Sequence, residues 1–462
     1  MAKRAAQKAK AMPARAEAEH QPLAPHLNSQ EILEPCTEPY LAPEIKPLLL
    51  AGQKESLFSA IAQQQNLTQR LDRILLHRYL GLPLMVACFA LLFLASFSLG
   101  KPISNYLAAA FDFLCGYFEK AAAGRVPWLL MGLVSDGILR GIGSALAFFP
   151  QMLLFFAFYT LITETGYSAR IATLMHRPMA RLKMAGQAFT PLILGYSCNV
   201  TAVIGTRCIP SRIDRLIVML ISSFTPCSAR FGVILYIAAA FFTPAMATLM
   251  MSGLIVLSWV VTALVSYLIK KRFPAAKDMT PPPELPPYHL PQLTTVLKET
   301  LFRTVDFLNR IKNVVIISSV LVWALATFPL GSTFETSLAA RIGQVLEPLG
   351  KTMGLNWKLI VALLFGFFAK ETTLSTLGVL YHASESLGDL GAILAQNITP
   401  LAGLTFLVVY MFYTPCAATA AAIYKESKSL FVSVLAIMLS LTVAFILGTL
   451  LYNAGRLLLF LF

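Results

Sequence analysis

The sequence predicts an all-α polytopic membrane protein built from two inverted repeats whose helices are broken or re-entrant. Three observations carry that expectation. Of 462 residues, 57% are hydrophobic and 13% are charged, about half the charged fraction of an ordinary soluble protein, and the mean hydropathy is +0.68. The apolar residues fall in blocks about as long as a bilayer span. An aromatic-Thr-Pro-Cys run occurs twice, as Phe224-Thr225-Pro226-Cys227 and Tyr413-Thr414-Pro415-Cys416. The composition excludes a disordered chain and a disulfide scaffold and argues against a soluble enzyme.

The net charge is +14. In a soluble protein that excess would point to nucleic acid. Here most basic residues sit in short loops between apolar blocks, the positive-inside pattern. The expected partner is therefore the lipid bilayer, with no nucleic acid.

Residues 1–66 are rich in Ala, Pro, Gln and charge and begin with Lys3, Arg4, Lys8, Lys10 and Arg15. They read as a disordered basic cytoplasmic tail. Residues 67–141 hold an amphipathic helix (Leu67, Leu71, Ile74, Leu75), a first span at 80–99 and an interfacial segment. Residues 142–270 form the first copy, with spans at 142–162, 213–241 and 246–269 and an apolar segment at 187–206. Residues 271–310 form a cytoplasmic linker, stiffened by Pro281-Pro282-Pro283 and Pro286-Pro287, followed by an amphipathic helix. The second copy occupies 311–453, with spans at 311–328, 401–424 and 430–453 and an apolar segment at 357–381. Residues 454–462 are a C-terminal tail.

Charge sets the topology. A basic N-terminus goes inside, so the loop with Arg170, Arg177, Arg181 and Lys183 returns inside after two spans. If 187–206 crossed, Arg207, Arg212 and Arg215 would face outside; a re-entrant hairpin keeps them inside. Residues 382–400 carry Glu385 and Asp389 but no Lys or Arg. They suit the outside, which makes 357–381 re-entrant from the opposite face, although it is long enough to cross. Span, hairpin, span, span thus occurs twice in opposite directions, an architecture recurrent among transporters.

Proline inside a helix removes an N–H and displaces the carbonyl one turn earlier. At membrane depth the freed carbonyls must be buried in protein, hydrated or bound to a cation. Cys227 and Cys416 add soft thiols beside hard oxygens, a mixture suited to a borderline divalent metal such as Fe(II). The plain alternative is a kink with a small residue packed beside it, which a single site would favour; the duplication brings the ligand reading level with it. The first hairpin reads Gly195-Tyr196-Ser197-Cys198-Asn199, with Cys198 and Asn199 both able to face a cation. The second reads Ala369-Lys370-Glu371-Thr372, placing two charges at a depth where each costs about 3 kcal/mol. Glu371 is a candidate metal ligand or proton carrier, or else a structural counter-ion for Arg230. The metal candidates are therefore Cys198, Cys227, Cys416, Glu371 and Asn199. Gly350-Lys351-Thr352 resembles the end of a phosphate-binding loop, but the required Gly is Val345 and Pro348 interrupts the run. No GTP site, resident cofactor or catalytic residue is expected.

Taken in order, several runs resemble the membrane part of the ferrous iron transport protein B (FeoB) family. These are Leu71-Asp72-Arg73, His77 through Pro83, Gly166-Tyr167-Ser168-Ala169-Arg170, Gly195 through Val200, Cys227-Ser228-Ala229-Arg230, Ala369-Lys370-Glu371 and Tyr413-Thr414-Pro415-Cys416. The resemblance spans about Leu71 to Leu451. It implies two gate repeats, Fe2+ as the transported ion, a bacterial inner-membrane location, and Cys198, Cys227, Cys416 and Glu371 as ion-path residues. Two departures stand out. The N-terminal GTPase domain usual in the family has no room here, so the chain is expected to lack its own GTPase and to act with a separately encoded one or on the ion gradient alone. The family's Glu-Asp-Ser-Gly run is Thr163-Glu164-Thr165-Gly166 here. A homo-oligomer is compatible with this reading. The alternatives are a transporter of another divalent metal or of a small organic solute such as a nucleoside, and a non-transporting scaffold or regulatory subunit.

Overall fold

The computed structural model describes residues 68–77, 79–122, 127, 131–147, 149–272, 285, 288, 290–329, 334–381 and 387–461. The expected tail at 1–66 and most of the proline-rich linker lie outside the described residues. Those described are helical, with no strand.

Helix α1 covers 68–75. Helix α2 runs Gly81–Ala122, well past the expected end of the first span and through Pro102. A π-helical segment, Leu133–Leu139, leads into α3 (Arg140–Ala147) and α4 (Phe149–Glu164). Gly166, with φ 80°, turns the chain into α5 (Tyr167–Leu174), a conformation that costs glycine little. Helix α6 is His176–Arg181. Helices α7 (Phe189–Leu194) and α8 (Asn199–Gly205) pack against each other; each is far shorter than the roughly 20 residues a crossing needs. Helix α9 (Arg212–Ile221) ends in a 3₁₀ turn, Ser222–Phe224, before α10 (Ser228–Phe241) and α11 (Pro244–Arg272).

The second half opens with α12 (Leu293–Thr327), bent by 40° between Arg310 and Lys312. Helix α13 is Leu338–Lys351. Helices α14 (Trp357–Phe368) and α15 (Thr372–Leu380) pack against each other. Then come α16 (Leu387–Asn397), α17 (Pro400–Phe412), α18 (Ala417–Ser427) and α19 (Leu430–Leu461).

Among the described residues, α2, the α9–α10 pair, α11, the α17–α18 pair and α19 are long and apolar enough to cross a bilayer, and α12 adds a sixth span across its bend. The chain is a multi-pass membrane protein. At 142–162, where a span is expected, the structure has α3 and the 16-residue α4, which is too short to count among the crossing helices. Burial separates two classes. The spanning windows of α2, α11 and α19 are 22–28% buried, whereas those of the two broken spans are 78% buried. The broken spans expose carbonyls that lipid cannot satisfy, so they must sit inside protein. The unbroken helices present Leu91, Leu94, Leu249, Val256 and Leu450, each more than half exposed, to the surrounding acyl chains.

Polar clamps fix the rim. Arg170 is fully buried; its Nε donates to Asp72 at 3.0 Å and it lies 4.0 Å from the centre of the Tyr288 ring. Tyr288 donates to the same carboxylate at 3.0 Å. Burial pushes the Tyr288 phenol above its usual range, so it remains a donor. This clamp joins α1, α5 and the linker. Lys270, at the end of α11, pairs with Asp214 in the first turn of α9, and both charges complement their helix dipoles.

Candidate functional site

Four helices break, and each break places a candidate residue at the same structural position. Cys198 is the N-cap of α8, Cys227 of α10, Glu371 of α15 and Cys416 of α18. A helix N-terminus carries roughly half a positive charge. All four residues keep partial exposure, while Asn199 beside Cys198 is buried.

Small residues let the hairpins rest on the proline breaks. A Cβ on Gly195 would lie 3.1 Å from the Thr225 side chain, so the first hairpin touches the first Thr-Pro-Cys break. A Cβ on Gly366 would collide with the Thr373 and Tyr413 hydroxyls, so the second hairpin touches the second break. The Ser228 hydroxyl donates to the Ser197 carbonyl at 2.9 Å. The Asn199 amide, oriented to satisfy both its ends, donates to the carbonyls of Thr225 (3.1 Å) and Gly195 (3.0 Å). Its nitrogen thus braces hairpin to break.

Two buried cations tie the breaks together. Arg230 is fully buried and donates to the carbonyls of Ser223 at 2.8 Å and Thr414 at 2.6 Å. Lys370, 3% exposed, donates to the same Thr414 carbonyl at 2.8 Å and sits 3.6 Å above the Tyr413 ring. Tyr410 donates to the Lys370 carbonyl at 2.8 Å. Glu371 pairs with neither cation. The counter-ion role considered for it toward Arg230 is therefore not realised, because the carbonyls exposed at the breaks serve as acceptors instead. Among the described residues, the hydroxyls of Ser223, Tyr413 and Thr414 have no hydrogen-bond partner.

Cys198 and Cys227 each adjoin one member of the hydrogen-bonded pair Ser197 and Ser228, and the helix that Cys416 caps packs against the helix that Cys198 caps. The Cys416 sulfur is 3.1 Å from the Thr419 hydroxyl. They do not form a closed ligand cage: among the described residues no group of three His, Cys, Asp or Glu side chains is arranged to hold a metal ion. Cys208 is disulfide-bonded. The convergence of Arg230 and Lys370 on one carbonyl escaped the sequence reading. Its only local signal was two cations inside apolar runs.

The family described as "Gate: Nucleoside recognition" matches residues 145–242 and 310–430, stretches that contain both hairpins and both Thr-Pro-Cys breaks. The family described as "Ferrous iron transport protein B C terminus" matches residues 251–303. The Fe(2+) transporter FeoB of Staphylococcus aureus (strain MSSA476) is 32% identical over 85% of this chain and 60% of its own length. That of Synechocystis sp. is 31% identical over 88% of this chain and 67% of its own. A Fe(2+) transport protein A/Fe(2+) transporter FeoB fusion protein of Porphyromonas gingivalis is 30% identical over 87% of this chain and 53% of its own. The chain therefore spans between about half and two thirds of the length of these curated relatives. No solved structure matches it. On the matched gate and C-terminal regions and on these relatives, the chain belongs to the ferrous iron transport protein B family.

Proposed function

We propose that this chain is a ferrous iron permease of the bacterial inner membrane, with its N-terminus in the cytoplasm and two inverted gate repeats enclosing the path. The observation that carries this reading is the placement of Cys198, Cys227, Cys416 and Glu371 at four half-helix N-caps, each partly exposed. Fe2+ is the substrate. It exchanges hydration water for thiolate sulfur in steps, assisted by backbone carbonyls and the hydroxyls of Thr414 and Tyr413, and is not held in a permanent cage. Asn199 positions the first hairpin and can offer its amide oxygen. The membrane potential supplies about 2.3 kcal/mol per charge per 100 mV, roughly twice that for a divalent ion. Coupling to a GTPase on a separate chain fits the same geometry. The P. gingivalis relative, a Fe(2+) transport protein A/Fe(2+) transporter FeoB fusion, makes a Fe(2+) transport protein A on a separate chain a second candidate partner.

The test is uptake into liposomes by purified protein under reducing conditions, with Fe2+ compared against Zn2+, Mn2+ and Mg2+. Fe2+ should enter fastest, and the double variant Cys227→Ser/Cys416→Ser should lose most uptake while remaining assembled. Equal uptake by that variant would remove the thiols from the path. No metal flux in the wild-type protein would favour the scaffold role.

A further inference from the structure

Helices α8 and α18 come from different halves of the chain and pack side by side. They start at Cys198 and Cys416, the N-caps of the two helices. At their far ends Arg207, just past α8, meets Glu426, in the last turn of α18. The two helices therefore run parallel from the thiols to an ion pair. A narrow crevice follows their seam, walled by Val200 and Ile204 on one side and Ala418 and Ala422 on the other. Both pairs have i, i+4 spacing, so each presents one helix face. The crevice ends at Arg310, Lys425 and Glu426.

That end is closed by charge. Arg207 grips Glu426 at two points, Nε to Oε2 at 2.8 Å and a terminal nitrogen to Oε1 at 2.6 Å. Arg310 adds a third contact at 3.2 Å. The Glu426 side chain is only 9% exposed. Arg310 also holds Asp306 at 2.7 Å, and Lys425 donates to the Arg310 carbonyl at 3.1 Å. Three cations thus face two carboxylates, so the closed mouth repels a dication. Withdrawing the guanidiniums would expose a carboxylate, a hard oxygen ligand for a divalent ion. The neighbouring Arg212, Arg215 and Lys428 place this mouth at the cytoplasmic face.

We infer that Arg207, Glu426 and Arg310 form the inner gate of the path, and that Glu426 is the carboxylate that receives the divalent cation when the guanidiniums swing away. The inference rests on the thiols lining the route, and it names the route's exit.

The test uses the full chain in liposomes and two readouts. The first is the rate at which a membrane-impermeant maleimide modifies Cys416 from the cytoplasmic face, measured without iron. Arg207→Gln should raise this rate roughly tenfold, the effect of losing a charge-assisted hydrogen bond, and the swap Arg207→Glu/Glu426→Arg should bring it back down. Arg207→Lys keeps the charge but not the two-point grip, and carries the test if Arg207→Gln does not assemble. The second readout is Fe2+ uptake. Glu426→Gln should label fast yet transport more slowly. Unchanged labelling in the arginine variants overturns the gate, and undiminished uptake by Glu426→Gln overturns the receiving role. Failure of wild-type Fe2+ uptake would instead strike the permease reading, since labelling does not depend on iron.

Discussion

Arg230 and Lys370 share one acceptor, and that sharing predicts a specific coupling between them. Replace each in turn with Met, which preserves much of the volume. In Arg230→Met the Ser223 carbonyl loses its donor, but Thr414 keeps Lys370. An orphaned buried carbonyl costs about 1–3 kcal/mol. In Lys370→Met the Thr414 carbonyl keeps Arg230, so the main loss is the contact with the Tyr413 ring, about 1–2 kcal/mol when desolvated. Each single variant also relieves repulsion between two buried like charges. The double variant orphans Thr414 as well and gains no second relief. Both effects push the same way, so the double should exceed the sum of the singles by about 1–3 kcal/mol. Reversible unfolding in mixed micelles, followed by tryptophan fluorescence, measures this. Additivity within about 0.5 kcal/mol would show that the two cations do not share the Thr414 carbonyl.

Three further outcomes follow from the same contacts. Asp214→Asn leaves Lys270 buried without its counter-charge and should cost about 3–5 kcal/mol, whereas Asp214→Asn/Lys270→Met should recover most of the loss in the same unfolding assay. Asp72→Asn should destabilise by about 1.5–3 kcal/mol, and Tyr288→Phe by no more than about 1 kcal/mol, because the ring stays over Arg170; thermal unfolding of the two variants ranks them. Gly366→Ala should cost about 1–3 kcal/mol by overpacking against Thr373 and Tyr413, and should slow Fe2+ uptake with little change in expression.

What the sequence made legible was local. Each Thr-Pro-Cys run forces a break because proline lacks an N–H, and both breaks lie where expected, with cysteine capping the next helix. The breaks within 187–206 and 357–381 were readable for a different reason: Gly195, Ser197 and the Lys370-Glu371 pair interrupt apolar runs. The extent of α2 was not readable. Lys101-Pro102 looks like a stop signal, yet the helix continues to Ala122. The partners of the buried charges were also out of reach. Arg230 finds Thr414 across 184 residues and Lys370 finds it across 44. Pairing by charge alone suggested Glu371, but backbone carbonyls freed at the breaks were the nearer acceptors. The Arg207–Glu426 pair is likewise separated by 219 residues and depends on how the halves pack.

The central claim is that three thiols from separate breaks face one route for Fe2+. Protection against alkylation, read cysteine by cysteine by mass spectrometry, tests it most directly. Cys88 in α2 is a partly exposed thiol and serves as the internal control. Fe2+ should slow modification of Cys198, Cys227 and Cys416 together and leave Cys88 unaffected. Unslowed modification of the three, or equal slowing of Cys88, would contradict the account.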